Sequence, residues 1–284
     1  MTGLLIVPLH RQKMKRLILF FTVLFFATST YAANYYWVGG AGRWGELGHW
    51  SKTSGGTPDH SIIPNLDDDV YFDANSGLAD GDIIYLPTAS PAYCRNMSWA
   101  GVTVAASLVW QGQPLLLYGS LEMAASVRYG TRGISFLGGS DATLKMNGAA
   151  RLPVTSWYTP ITVNKPGGSL TLLDGIPAGL TVTAFSLTAG ALDMSGLTHT
   201  FESFISDGSI ARSVDISNAT LNLSGGWDYR GTNNTINSTG STITVGNFYS
   251  DRFTYPKVNI TAGGTAMVIN NTTFGELTFT NALA

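Results

Sequence analysis

From Ser120 to the C-terminus the chain repeats a short unit in which two apolar residues flank a polar one. Examples are Leu121-Glu122-Met123, Leu144-Lys145-Met146, Ile161-Thr162-Val163, Leu170-Thr171-Leu172, Val214-Asp215-Ile216, Leu221-Asn222-Leu223, Ile243-Thr244-Val245 and Val258-Asn259-Ile260. Successive side chains of an extended strand point to opposite faces, so each triplet can bury two side chains and expose the third. Glycines at 119, 138–139, 167–168, 190, 196, 225–226 and 263–264 punctuate the units. No stretch carries the helical period long enough to serve as a βαβ crossover, which argues against doubly wound folds and α/β barrels. Two all-β architectures remain, an antiparallel β-sandwich and a parallel β-solenoid. Very short strands, Asn and Thr on strands and turns, and a loose repeat of about 20 residues favour a right-handed parallel β-helix, with the sandwich as the alternative. In such a stack the inward Leu, Ile, Val, Met and Phe side chains form one column, and polar side chains at equivalent bends form ladders.

The N-terminus has a different character. Lys13, Lys15 and Arg16 precede an apolar run from Leu17 to Ala27, followed by small or polar residues up to Ala32. That order reads as a secretory signal peptide over residues 1–32, cut after Ala32 or Ala33, with Met14 as a workable start. The run is too short for a membrane span, which needs roughly 20 apolar residues, so no span is expected in the mature chain. The leader holds four basic residues and no acidic one. The chain has 16 Lys and Arg against 18 Asp and Glu, so the mature part keeps 12 basic against 18 acidic residues. An acidic balance of that kind makes nucleic acid an unsuitable partner. Cys94 is the only cysteine and cannot form an intrachain disulfide; it reads as a small buried hydrophobe.

Five of the seven tryptophans, Trp37, Trp44, Trp50, Trp99 and Trp110, precede the strand-rich repeats. This suggests an aromatic-rich N-terminal cap region over 33–110, followed by solenoid repeats over 111–284. Within the first part, Tyr36-Trp37-Val38-Gly39-Gly40-Ala41-Gly42-Arg43-Trp44, His49-Trp50-Ser51 and Asp69-Val70-Tyr71-Phe72-Asp73-Ala74-Asn75-Ser76 resemble the opening of exported β-strand-repeat surface proteins of Bacteroidetes. Cys94 to Val102, Leu117 to Leu121 and Leu187 to Asp193 are similar to later segments of the same proteins. The resemblance implies a parallel β-helix that is secreted or held at the bacterial cell surface, exported by the type IX route and continued by further repeats or adhesive modules. Such relatives end in a sorting domain, for which the stretch up to Ala284 has no counterpart. The expectation is therefore a truncated chain or a short member that depends on a partner.

Three features invite chemistry. Trp37, Trp44 and Trp50, with Tyr35 and Tyr36, would offer either a platform for sugar rings or a plug for the open end of the column, and the plug is the simpler expectation. Asp67, Asp68, Asp69 and Asp73, with Asp80 and Asp82, carry the oxygen chemistry of calcium sites but lack the spacing of a calcium loop; turn-forming roles explain them more simply. His49, His60 and His199 match no metal-binding spacing and read as hydrogen-bonded structural residues. No nucleophile elbow or phosphate loop is present. The expected cofactor is none, with calcium the one ion worth testing.

The sequence thus points to a non-catalytic structural or adhesive protein that meets surface glycans or other cell-envelope proteins. A polysaccharide lyase-like enzyme is the rival, because parallel β-helices host such sites. Its charged pairs, Arg212 with Asp215 and Asp228 with Arg230, lack further acidic partners and read as surface charges of small stabilising value.

Overall fold

The apolar-polar-apolar triplets form strands that stack in register, each on its equivalent in the coil before. The computed structural model describes residues 32–109, 112–130, 133–151, 160–177, 184–269 and 271–280. The expected leader falls almost wholly outside these residues, as does Trp110. The fold is a parallel β-solenoid of about eight turns. Among the described residues the only antiparallel pairing sets Trp50–Ser51 beside Asn34–Trp37, and every other described ladder is parallel, so the fold is a solenoid and not the alternative sandwich.

A regular coil contributes three strands in turn. On the first face, Asn34–Trp37, Asp69–Tyr71, Met97–Ser98, Leu121–Glu122 and Ala142–Lys145 follow one another. The ladder continues through the end of Pro160–Leu172 and of Ala184–Asp193 to Arg212–Asp215 and Asn234–Asn237. Leu192 lies opposite Val214, and Val214 opposite Ile236, 22 residues apart each time. The second face runs from Ala92–Cys94 through Leu115–Leu117, Ile134–Leu137 and the start of Pro160–Leu172 to Ser203–Ser206 and beyond. A third ladder is the five-stranded sheet from Gly42–Arg43 to Ala150–Arg151, and Thr198–Phe201, Thr220–Tyr229 and Thr242–Asp251 form a later one.

All sixteen apolar members of the eight triplets are buried. At roughly 1.5–3 kcal/mol for each large aliphatic side chain taken from water, this column is the main cohesive term of the fold. Its turns are equally repetitive. Gly148, Gly196, Asn218 and Gly240 occupy the same position in the turn after the first face, with φ of 78°, 68°, 55° and 71°. That left-handed backbone favours glycine or asparagine. Just before it, Asp193, Asp215 and Asn237 accept hydrogen bonds from the backbone N–H of Ser195, Ser217 and Thr239, closing the same turn in three successive coils.

Two regions depart from the regular coil. Toward the C-terminus the first face ends at Asn234–Asn237; the following strands, Thr242–Asp251 and Thr254–Ile269, each run from the third face onto the second, and the chain between them returns to the third without a first-face strand. At the other end the aromatic-rich stretch is not set apart from the ladders: its strands pair with those that follow, and Ala33–Ala284 is one compact unit.

Candidate functional site

Trp37, Trp44 and Trp50 are each 0% exposed. Trp50 stands edge-on to both Trp37 and Trp44, at 5.0 and 4.9 Å between ring centroids, and Trp37 stacks on the His49 imidazole at 4.4 Å. The column of rings continues through Phe72, which stacks on Trp99 at 3.8 Å. The indole N–H of Trp37 donates to the Gly40 carbonyl, and that of Trp50 to the Trp44 carbonyl. With both faces and edges covered, these rings leave no surface for a sugar ring to stack on; they fill the first coils of the core.

The acidic residues nearby are occupied by local bonds. Asp68 is buried and accepts from the backbone N–H of Ala33 and Asn65. Asp69 receives the Arg95 guanidinium through both carboxylate oxygens and the Asn96 side-chain amide at 2.7 Å. Asp73, Asp80 and Asp82 accept from the backbone N–H of Asn75, Ala105 and Ala79. Among the described residues no three His, Cys, Asp or Glu side chains are grouped to hold a metal ion.

The histidines are hydrogen-bonded. His49 Nδ1 lies 2.7 Å from the Val38 carbonyl and His60 Nε2 3.0 Å from that of Asn34. His199 is fully buried; its Nδ1 accepts from Ile176 N–H and its Nε2 faces the Met194 carbonyl at 3.0 Å. Burial holds its pKa below the ordinary histidine value, so the neutral ring is the native form. The Cys94 thiol, also buried, is pushed well above its ordinary value by desolvation.

The least expected arrangement lies at the corner between the second and first faces. Arg212 reads as a surface charge beside Asp215, yet it is 4% exposed and points inward. One guanidinium nitrogen donates to the carbonyls of Gly208 and Arg230, each at 3.0 Å, while its Nε has no hydrogen-bond partner among the described residues. Asp215 instead bonds Ser217 and Asn237; burial pushes its carboxyl up, but the side-chain and backbone hydrogen bonds of Ser217, with that of Asn237, together hold it below the usual range. Asp228 and Arg230 do pair, at 2.6 Å. Two coils before Arg212, Lys165 is 0% exposed, and its ammonium group donates to the Leu137 carbonyl at 2.9 Å.

Both buried cations carry a sequence signal. Lys165 continues the inward parity of Ile161 and Val163, and Arg212 that of Val214 and Ile216. Reading the alternation through charged positions would have placed them inside.

This corner is also concave. Gly167, Gly168, Gly190, Ala191, Ala211, Arg212, Ser213, Asn233 and Thr235 line one dent. A second, nearer the N-terminus, is lined by Arg95, Asn96, Tyr118, Gly119 and the turn from Gly138 to Asp141, with Leu66 and Asp67. Compared with protein-family models, curated proteins and solved structures, the chain finds no match. Among the described residues no helix is long and apolar enough to cross a membrane.

Proposed function

We propose that the chain is an exported, non-catalytic β-helix that serves at a bacterial surface as a structural or adhesive segment in contact with glycans or envelope proteins. The observation that carries this reading is the division between the inside and the outside of the coils. Inward positions are mostly aromatic or aliphatic, and on the later third face the outward positions stack small polar groups in rows, whereas the second face also carries Tyr93, Leu116, Ile205 and Tyr249 outward. On the third face Thr198, Thr220 and Thr242 form one row and Thr200, Asn222 and Thr244 its neighbour. Rows of hydroxyl and amide groups at the coil spacing, about 4.8 Å, suit a polyhydroxylated polymer lying against them. The lysine- and arginine-led apolar run at the N-terminus supports export, and the Trp37 to Trp44 motif supports kinship with exported β-strand-repeat proteins.

Incubating the purified protein with a panel of acidic and neutral polysaccharides tests the proposal. The reading expects retention of one or more polymers without turnover. New unsaturated products absorbing in the ultraviolet would overturn it in favour of a lyase, and retention of none would reduce the protein to a passive stalk.

A further inference from the structure

We propose that the dent beside Arg212 binds the negatively charged group of an acidic glycan, a uronate carboxylate or a sulfate ester. This rests on the glycan-contacting reading and names the class of sugar.

The dent spans four successive coils, from Gly167-Gly168 through Gly190-Ala191 and Ala211 to Ser213, ending at Asn233 and Thr235. At the coil spacing of about 4.8 Å it is about 14 Å long, a run suited to a short stretch of linear polymer. Its floor is low because the backbone leaves no room for side chains. Gly190 has φ 84°, and a Cβ there would overlap the Lys165 carbonyl oxygen. A Cβ on Gly168 would meet the Gly139 carbonyl at 2.6 Å.

The charge of the dent is one-sided. None of its lining residues is acidic, and Arg212 is the one charged residue among them. Among the described residues no carboxylate lies within ion-pair distance of Arg212. Acidic side chains at the same corner are engaged elsewhere: Asp207 and Asp228 lie 4.0 and 2.6 Å from Arg230, and Asp141, beside the Gly168 end, accepts from the backbone N–H and hydroxyl of Ser169. The Arg212 guanidinium is packed against Gly208 and Gly231, where added Cβ atoms would meet it, and among the described residues its Nε has no partner. A buried cation satisfied only in part by carbonyl dipoles retains an uncompensated field, and that field is strongest where the low-dielectric wall is thinnest. Ser213 and Thr235, register partners on the outward side, add hydroxyl groups suited to a sugar. No aromatic or large aliphatic side chain lines the dent, which suits a sugar better than an apolar ligand.

The test compares wild-type protein with Ala191→Asp, which places a carboxylate in the dent and leaves Arg212 intact. Mobility in native gels containing polygalacturonate, dextran sulfate or a neutral linear galactan reads the binding, and a melting scan reads the fold. The expected result is retardation by an acidic polymer that weakens with added salt. Ala191→Asp should weaken it at least tenfold with an unchanged melting temperature. Preference for polygalacturonate or for dextran sulfate would tell a carboxylate from a sulfate ester. If both proteins are retarded equally by acidic polymers, or only the neutral galactan is held, the inference is overturned while the glycan-contacting reading stands. If wild type is retarded by none of the three, both fail.

Discussion

At one end of the column Tyr35, Trp37, Trp44 and Trp50 close over the first coils, and Trp50–Ser51 lies antiparallel along the edge of Asn34–Trp37. At the other end the inward rows emerge into solvent. Val258 and Ile260 are fully buried, but their register partners Leu277 and Phe279 in Thr273–Phe279 are 37% and 55% exposed. Apart from that antiparallel edge strand, backbone pairing is parallel in both places. What differs is the size of the inward side chains and the presence of a crossing strand, so the end of a solenoid is closed by side-chain volume and edge cover, not by the ladder itself.

Substitutions along the column can break or sharpen that contrast. Trp50→Ala should remove the ring that both other tryptophans pack against and cost about 3–5 kcal/mol, read by denaturant unfolding. A loss close to that of a surface mutation would show that the aromatic end is not part of the core. Mid-column, Gly190→Ala adds a Cβ against the Lys165 carbonyl at a left-handed φ. It should cost about 1–3 kcal/mol by the same measurement, and a neutral result would mean the coils are not so closely stacked there.

A smaller effect concerns His199. Its pKa is depressed in the folded state, so the unfolded chain binds the extra proton more readily. The associated stability is present above the ordinary histidine pKa, about 6.5, and is lost as the pH falls below it. His199→Gln should flatten the decline in melting temperature between neutral and mildly acidic pH, and an unchanged slope would assign the decline to other groups. At the exposed end, Phe279→Ala should cost only about 0.5 kcal/mol. A loss rivaling that of Trp50→Ala would erase the difference between the two ends.

Much of the architecture was legible because the two-residue period survives in triplets such as Val214-Asp215-Ile216, whose apolar members are all buried. The parallel stacking was read from very short strands in a loose repeat with no helical period long enough for a crossover. Less was legible where chemistry competes with parity. Arg212 and Lys165 sit on the inward side of their strands, but their charge argues for solvent, and only the carbonyls gathered at the corner let them stay inside. The tryptophans announced an aromatic cluster, yet nothing in their spacing distinguishes a covered ring from an open platform. The loss of the first face after Asn237 has no local signal either, since the turn at Thr239-Gly240 has the same form as those before it.

Register in the stack can be measured with an engineered metal clip. Thr220 and Thr242 are outward partners in adjacent parallel coils. The variant carrying both Thr220→His and Thr242→His should bind nickel between neighbouring imidazoles and melt at a higher temperature when nickel is added, whereas neither single variant should respond. Absence of a nickel-dependent rise in the folded double variant would mean that these positions are not neighbours, and the stacked-coil account would be contradicted.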